Sequence, residues 1–295
     1  MDDRIQLCEK HYGACAKRPD LCGIIIPGRR GRLLSVLYTA EGPGVHPTVI
    51  LLHGIPGCEQ NFDLAQALRR SGFHVITFHY SGNWGSDGSY SLRNDLEDAQ
   101  TVLDFVLKDE TYGFDRGHIY AVGHSLGGFV CGQLTARRRE IRGGVLLMPC
   151  DIGRIGRIYL QNKKMAENIR NVLEDSAQWL NGVTGEALLR EAETYSQQLC
   201  LENVAGLLAQ KPLFCITGTL DTCTPGLYHC RPLMDAILAE GGTMLKSMEF
   251  PTDHFFSDYR LTVTGYVTEF LQGLLAAQSP ARRPGTESEC SRNIS

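Results

Sequence analysis

Short apolar runs alternate with amphipathic stretches along most of the chain. Five runs are continuously apolar, which is typical of strands buried on both faces: residues 49–52, 74–79, 119–122, 145–148 and 213–217. A sixth strand candidate covers residues 245–250. The amphipathic stretches are helix candidates: residues 61–70, 92–107 (with Ser91 as a cap), 126–137 and 227–238. This alternation predicts an α/β fold, a mostly parallel sheet with helices on both faces.

Two regions depart from the alternation. Residues 151–210 read as helical sequence with no strand candidate, although one helix is usually enough to connect two parallel strands. We therefore expect a core of residues 1–150 and 211–278 with a helical cap or lid at 151–210, an ordinary long crossover being the alternative. Before the first strong strand, weaker candidates at 23–26 and 33–38 suggest an antiparallel edge, and a disordered tail is expected at 279–295.

Composition and charge narrow the function classes. The fractions of hydrophobic residues, 43%, and charged residues, 21%, are those of a globular protein. A net charge of -4 gives no field that concentrates polyanions, so nucleic acid is not an expected partner. No stretch approaches the roughly 18 apolar residues of a membrane span, and the N-terminus lacks the apolar core of a signal peptide. We therefore expect a cytoplasmic protein.

The eleven cysteines fit the same compartment. They form no C-x-x-C pair, and Cys150 and Cys215 lie in apolar runs, which suggests buried thiols in a reducing environment. Cys8, Cys15 and Cys22 recur every seven residues, but no partner follows at zinc-ligand spacing. We expect neither a metal nor an organic cofactor.

One short motif points to nucleophilic catalysis. Residues 123–127, Gly-His-Ser-Leu-Gly, match G-x-S-x-G and join a predicted strand to a predicted helix. A nucleophile elbow requires this context, because a sharp turn tolerates only small residues two positions either side of the serine. Ser125 is therefore the candidate nucleophile.

Two backbone amides are candidates for an oxyanion hole. The N–H of Leu126 lies at a predicted helix N-terminus, where the dipole favours negative charge. A second donor is expected from residues 53–57, His-Gly-Ile-Pro-Gly, which follow a strand directly. Ile55 is preferred because Pro56 has no N–H, although a simple Gly/Pro turn is the alternative.

The base and the acid follow from chain order. Where an elbow of this kind occurs, the partners come in the order serine, acid, histidine. Of the two histidines after Ser125, His254 follows the last strand candidate, whereas His229 falls inside a predicted helix and is expected to pack there. Asp221, just after the strand at 213–217, is the favoured acid, with Asp151 as the alternative. Asp253 is disfavoured, because neighbouring side chains rarely face each other.

Four segments together resemble the α/β-hydrolase superfamily over roughly residues 47–275. They are residues 53–57, 123–128, 218–221 and 251–254, in the expected order. The resemblance implies acyl transfer through an acyl-enzyme without a cofactor. Families with an aspartate nucleophile also carry a similar first segment, but Ser125 at the elbow argues against them.

Residues 78–88 are similar to a loop of small intracellular esterases, cinnamoyl-esterase-like enzymes and acyl-peptidase relatives. The resemblance implies that this loop borders the acyl pocket, so Tyr80 and Trp84 are candidate substrate-binding residues, with core packing as the equal alternative. Ser81 stands where those enzymes often have arginine, which puts the role of that arginine in doubt here.

The sequence therefore predicts a serine hydrolase acting on small-molecule carboxylic esters with small or medium acyl groups. The alternatives are a serine peptidase or amidase with the same triad, and a ligand-binding homologue without catalysis. Pocket shape decides the substrate, and a homo-oligomer is compatible with the sequence.

Overall fold

One eight-stranded sheet organises residues 17–278, which the computed structural model describes apart from the side chains of residues 159, 160, 163 and 165. The strands are β1 (Leu21–Gly28), β2 (Gly31–Tyr38), β3 (His46–Leu52), β4 (His74–Phe78), β5 (Phe114–His124), β6 (Ile141–Leu147), β7 (Leu213–Gly218) and β8 (Leu245–Phe250). Their order is β1-β2-β4-β3-β5-β6-β7-β8. Strand β2 is antiparallel to β1 and β4, and the other pairs are parallel. The predicted mostly parallel sheet with an antiparallel edge is confirmed.

Helices cover both faces of this sheet. They are α1 (Phe62–Arg70), α2 (Leu92–Lys108), α3 (Leu126–Arg137), α4 (Ile152–Gln161), α5 (Lys163–Ala177), α6 (Gly185–Thr194), α7 (Ala205–Leu208), α8 (Gly226–His229), α9 (Arg231–Ala239) and α10 (Arg260–Gln278). Helices α1 and α10 pack on one face, while α2, α3 and α9 contribute to the core on the other. The predicted cap of α2 is confirmed, since the Ser91 hydroxyl accepts the N–H of Asn94 at 3.2 Å.

One predicted helix is wrong in its extent. Residues 227–238 were expected to be continuous, but the chain breaks at Cys230 into the short α8 and the longer α9. Pro232 explains the break, because it lies in the first turn of α9 and has no N–H to continue a helix from α8. The break leaves His229 at the end of α8, where its side chain is buried.

Between β6 and β7 the chain contains helices α4 to α7 and a 3₁₀ turn (Glu202–Val204). Apolar side chains of this stretch, including Leu188, Leu189 and Leu201, are buried in the same core as α2 and α3. Its use as a cap stays a prediction. The N-terminal Cys8 and Cys15 and the tail at 279–295 lie outside the described residues.

None of the helices in the described part of the chain combines the length and the apolar character that crossing a bilayer requires.

Candidate active site

The predicted site residues lie in loops at one edge of the sheet. Ser125, Asp221 and His254 follow the carboxyl ends of β5, β7 and β8, and these strands run in the same direction. In open parallel sheets this edge is where ligands bind. The loop after β3, which contains Ile55, opens at the same edge.

Ser125 occupies a strained turn between β5 and α3. Its φ of 57° and ψ of -121° lie in a region that residues with a side chain rarely adopt. Hydrogen bonds hold this conformation, because Ser125 N–H donates to Leu147 O at 2.8 Å and Ser125 O accepts the N–H of Cys150 at 2.9 Å. The turn also needs its glycines: a Cβ on Gly123 would lie 1.9 Å from the carbonyl oxygen of Gly127.

His254 and Asp221 form a buried hydrogen-bonded pair. The imidazole Nδ1 lies 2.8 Å from Asp221 Oδ2, and both residues are less than a tenth exposed. A carboxylate can only accept, so Nδ1 carries the proton and Nε2 is the ring nitrogen available to a substrate or a nucleophile. Burial alone raises the pKa of Asp221, but the hydrogen bond and charge of His254, with hydrogen bonds from Thr224, lower it below its usual value.

Ser125 and His254 form no direct hydrogen bond with each other, but the residue before Ser125 contacts His254. The link runs through His124, whose Nε2 donates to His254 O at 2.8 Å and whose ring centroid is 4.8 Å from that of His254. Catalytic hydrogen bonds are often long in unliganded sites and tighten when substrate binds. The structure therefore joins His254 and Asp221 directly, while the part of Ser125 in a triad stays a prediction.

His124 is a supporting residue that the sequence reasoning missed. Burial lowers the pKa of its imidazole to about 3, so the ring is neutral and can donate through Nε2 alone. That single bond fixes the backbone of His254 against the end of β5. No local signal reveals it, because the two residues are separated by 130 positions.

Thr224 is a second residue that was missed. Its hydroxyl oxygen lies 2.9 Å from Asp221 Oδ2, 3.2 Å from His254 Nδ1 and 3.0 Å from Met148 O. The backbone N–H of Thr224 also donates to Asp221 Oδ1 at 2.9 Å. When an aspartate side chain accepts the N–H of the residue three positions later, the two residues form a recognisable turn. The D-x-x-T spacing of residues 221–224 could therefore have indicated this turn from the sequence.

The two candidate oxyanion donors are both unengaged. Among the described residues, neither Ile55 N–H nor Leu126 N–H donates a hydrogen bond to another group of the protein. The loop that carries Ile55 lies directly against Ser125, since a Cβ on Gly54 would be 3.0 Å from Ser125 Cβ. The arrangement leaves both amides available to an oxygen bound near Ser125.

The alternative acid is engaged elsewhere. Asp151 is fully buried, and its carboxylate accepts the N–H groups of Arg154 at 3.2 Å and Leu201 at 3.0 Å. Burial raises its pKa to about 6. Its own N–H donates to Nδ1 of His229 at 3.1 Å, so His229 packs as a buried neutral ring.

Asp253 also faces away from the imidazole. Its carboxylate accepts the N–H groups of Phe255 and Ser257 and the hydroxyl of Ser257. Of the three carboxylates considered from the sequence, only that of Asp221 contacts His254.

The two aromatic candidates differ in position. Tyr80 has no exposed surface, its ring lies 4.6 Å from that of His53 and 5.1 Å from that of Phe78, and it packs as a core residue. This burial corrects the expectation that Tyr80 lines a pocket. Trp84 is 43% exposed and stacks on Trp179, with ring centroids 5.6 Å apart.

Trp84 connects the oxyanion loop to the stretch between β6 and β7. Its Nε1 donates to the carbonyl oxygen of Pro56 at 2.7 Å, next to Ile55. Trp179, its stacking partner, lies between α5 and α6. An aromatic surface therefore borders the loop that faces Ser125.

Two clusters among the described residues have side-chain atoms of types that can bind a metal. One contains Asp221, Cys223 and His254, with ligand atoms within 4.8 Å of one another. Here the hydrogen bond from His254 already engages the Asp221 carboxylate.

The other cluster contains Asp151, Cys200 and Glu202. The carboxylate of Glu202 pairs with Arg154 at 2.6 Å, and that of Asp151 accepts two backbone amides. The carboxylates of both clusters and the His254 Nδ1 of the first are therefore used within the protein.

The chain is similar to known proteins in both sequence and structure. A sequence profile described as the alpha/beta hydrolase fold matches residues 47–222. The lysophosphatidylserine lipase ABHD12 of Gallus gallus is 36% identical over 99 residues, which are 32% of this chain and 25% of the relative. The same lipase of Danio rerio is 34% identical over 104 residues, 34% of this chain and 26% of the relative. The chain thus spans about a quarter of the length of these relatives.

Solved structures agree over more of the chain. An esterase of Pyrococcus furiosus superposes with a TM-score of 0.66 at 16% identity, covering 90% of this chain and 96% of that one. The enzyme Est1E of Butyrivibrio proteoclasticus, with ferulic acid bound, gives a TM-score of 0.62 at 20% identity over 86% and 99% of the two chains. The acylaminoacyl peptidase of Pyrococcus horikoshii gives 0.65 at 16% identity over 87% and 42%. At these identities the likeness shows the fold.

Proposed function

Because this chain belongs to the α/β-hydrolase family, we propose that it is a serine hydrolase that cleaves carboxylic esters through an acyl-enzyme intermediate. The observation that carries the proposal is the buried hydrogen bond between His254 Nδ1 and Asp221 Oδ2 at the sheet edge where Ser125 holds its strained conformation. A histidine fixed in this tautomer presents Nε2 as a base.

In the first half of the proposed reaction, Ser125 Oγ attacks the acyl carbon and His254 Nε2 takes the hydroxyl proton. The carbonyl oxygen becomes an oxyanion, which the N–H groups of Ile55 and Leu126 stabilise. Asp221 stabilises the imidazolium that forms. When the intermediate collapses, the bond to the alcohol oxygen breaks and His254 returns its proton to the leaving alcohol.

In the second half, water replaces the alcohol. His254 Nε2 takes a proton from water while the water oxygen attacks the acyl carbon, and the same two amides stabilise the second oxyanion. Collapse breaks the bond to Ser125 Oγ, which regains its proton and releases the carboxylic acid. Each step uses only groups at this edge of the sheet.

Several observations favour esters of small or medium acyl groups as substrates. One of the similar structures is the esterase of Pyrococcus furiosus, and another, Est1E, has ferulic acid bound. The stacked rings of Trp84 and Trp179 offer an apolar surface beside the oxyanion loop. We further propose that residues 151–210, which include Trp179, act as a cap over this surface.

A serine peptidase or amidase is the second candidate, because the acylaminoacyl peptidase of Pyrococcus horikoshii shares the fold. The lysophosphatidylserine lipases match about a third of this chain, so a lysophospholipid belongs among the esters to be tested. The reaction chemistry is the same in all three cases and only the leaving group differs.

The test combines labelling with a substrate panel. A fluorophosphonate probe should label the wild type and the Ser247→Ala control, whose serine is exposed on β8, but not Ser125→Ala. Absence of labelling in the wild type would favour a ligand-binding protein. Turnover of p-nitrophenyl esters of increasing chain length, beside aminoacyl-anilides and lysophosphatidylserine, then separates esterase from peptidase and lipase. Turnover retained by Ser125→Ala or His254→Ala would contradict the mechanism.

A further inference from the structure

A cavity lies near the C-terminal end of α3, the helix that begins directly after Ser125. It has a volume of about 380 Å³ and lies between α2, the last turns of α3 and the chain that follows α6. At a rise of about 1.5 Å per residue, Gln133 and Arg137 are roughly 12 and 18 Å along α3 from the elbow. The cavity therefore shares no lining residue with the candidate active site.

The wall of this cavity contains a buried amide without a partner. Gln133 is 1% exposed, and neither its Nε2 nor its Oε1 forms a hydrogen bond among the described residues. Buried amides nearly always have partners, because an unpaired one loses its interaction with water without compensation. The residue that lines the cavity here thus holds a donor and an acceptor that no group of the described protein uses.

Positive charge is also available in the lining. Arg93 and Arg137 form no ion pair among the described residues, whereas Arg138 pairs with Asp104 at 2.8 Å and with Glu140 at 3.2 Å. Arg137 is an exposed residue at the rim of the cavity, and partial loss of solvation there lowers its pKa.

The acid in the lining compensates this charge only in part. Glu97 pairs with Arg30 at 2.6 Å, and the charge of Arg93 also acts on it from a greater distance. Neither Arg93 nor Arg137 has a paired carboxylate among the described residues, so both guanidinium groups are available to an anion.

A flat surface completes the lining. The guanidinium carbon of Arg93 lies 4.1 Å from the centre of the Tyr195 ring, and this stacked pair borders the cavity together with the apolar side chains of Leu96 and Leu199. Planar groups pack well against such a pair. The features favour a ligand that is partly aromatic.

We propose that this cavity binds a small aromatic carboxylate that also carries an amide. Guanidinium groups bind carboxylates through paired hydrogen bonds, so Arg137 and Arg93 hold the acid. The amide of the ligand exchanges hydrogen bonds with the amide of Gln133, and its ring packs on the Arg93–Tyr195 pair. The volume lies within the range of small-molecule sites. The inference does not depend on the proposed catalytic function.

Calorimetric titration of the full chain with hippurate (benzoylglycine) tests the proposal, because hippurate combines a ring, an amide and a carboxylate. We expect binding with a millimolar or smaller Kd, weakened about tenfold or more in Arg137→Gln and in Gln133→Leu, since each removes hydrogen bonds to the ligand. The control Arg139→Gln makes the same change of charge two positions further on, outside the lining, and should bind within about twofold of the wild type.

Two further measurements locate the site. Hippuramide, in which an amide replaces the carboxylate, should bind about tenfold more weakly than hippurate. Wild-type protein with its active site blocked by fluorophosphonate should keep full affinity, which separates this cavity from the acyl pocket. Absence of binding at millimolar hippurate, or binding unchanged in Arg137→Gln and Gln133→Leu, would overturn the proposal. If Gln133→Leu fails to fold, Arg93→Gln takes its place.

Discussion

Several hydrogen bonds fix the orientation of the Asp221 carboxylate. Its Oδ1 accepts the N–H groups of Cys223 and Thr224, while Oδ2 lies within hydrogen-bond distance of His254 and the Thr224 hydroxyl. Because its pKa is lowered, the carboxylate stays ionised well below neutral pH. The imidazole therefore keeps one tautomer wherever the enzyme is assayed near neutrality.

Replacing this carboxylate should be far more damaging than replacing its rival. Asp221→Asn should lower kcat for an ester by about 10⁴-fold, because an amide can hold the wrong tautomer of the imidazole. Asp151→Asn, the matched control, should keep kcat within about tenfold, since Asp151 bonds backbone amides rather than His254. Steady-state kinetics of the two purified variants decides, and the reversed order would transfer the role of acid to Asp151.

Thr224 is expected to act as a positioning residue. Thr224→Val removes the hydroxyl at nearly constant volume and should lower kcat about tenfold, the equivalent of one hydrogen bond, with little change in KM. Thr224→Ser should restore most of the rate, because it restores the hydroxyl. Equal rates in the valine and serine variants would mean that the hydroxyl has no part in holding the pair.

A turn motif and chain order suggested Ser125, His254 and Asp221 from the sequence, and their catalytic roles stay a prediction. The two residues that support the His254–Asp221 pair, His124 and Thr224, were missed. The bond from His124 to His254 joins residues far apart in sequence, so it depends on the tertiary fold. For the same reason the burial of Tyr80 could not be separated from a place in a pocket wall until the strands were assembled.

In the elbow between β5 and α3, the backbone leaves no room for a side chain at Gly123 and Gly127. A Cβ on Gly123 would lie 1.9 Å from Gly127 O, and one on Gly127 would lie 2.1 Å from Leu52 O. These contacts are between backbone atoms, which cannot rotate away. The glycines are therefore required by the turn itself, whatever the chemistry of Ser125.

Gly123→Ala should destabilise the fold by more than the roughly 1–3 kcal/mol that overpacking usually costs. The control is Gly273→Ala in α10, where a Cβ would meet nothing within 4 Å and should stabilise the helix by about 0.5–1 kcal/mol. Free energies of unfolding from urea titrations compare the two. A Gly123→Ala variant as stable as the wild type would show that the turn can relax.

Among the secondary-structure elements, apolar runs predicted the strands more accurately than amphipathic stretches predicted the helices. All five continuously apolar runs correspond to strands of the sheet, since a run buried on both faces carries its signal in every residue. The sixth candidate, residues 245–250, is also a strand, β8, although its residues are partly or fully exposed. Strand β5 begins at Phe114 rather than near residue 119, because its first residues are polar and pair only at the sheet margin. The break at Cys230 was missed because the apolar spacing of residues 227–238 outweighed the warning given by Pro232.

Across the whole molecule, burial suppresses the charge of several histidines. The pKa is lowered to about 3 for His53 and His124, and to about 4 for His74 and His229, with burial as the main cause in each case. In an unfolded chain the same rings titrate near 6.5. Between these values the unfolded chain binds protons that the folded protein does not.

Three buried carboxyls act in the opposite direction. Burial raises the pKa of Asp151 to about 6, and also raises the pKa values of Asp95 and Asp98. Burial thus favours protons on these groups in the folded protein at pH values where the unfolded chain releases them. The buried rings, which include His79, outnumber the three carboxyls, so the unfolded chain binds more protons than the folded protein near pH 5.

Stability should therefore fall as the pH is lowered from about 6 to 5. One net proton corresponds to about 1.4 kcal/mol of unfolding free energy per pH unit, lost on acidification because the unfolded state binds it. Urea titrations at a series of pH values measure the slope. His74→Asn should make this slope shallower by about one proton. The unfolded variant would then have one fewer ring that it protonates while the folded protein does not. A wild-type free energy that stays constant or rises between pH 6 and 5 would mean that the buried carboxyls, rather than the histidines, control the acid response of the fold.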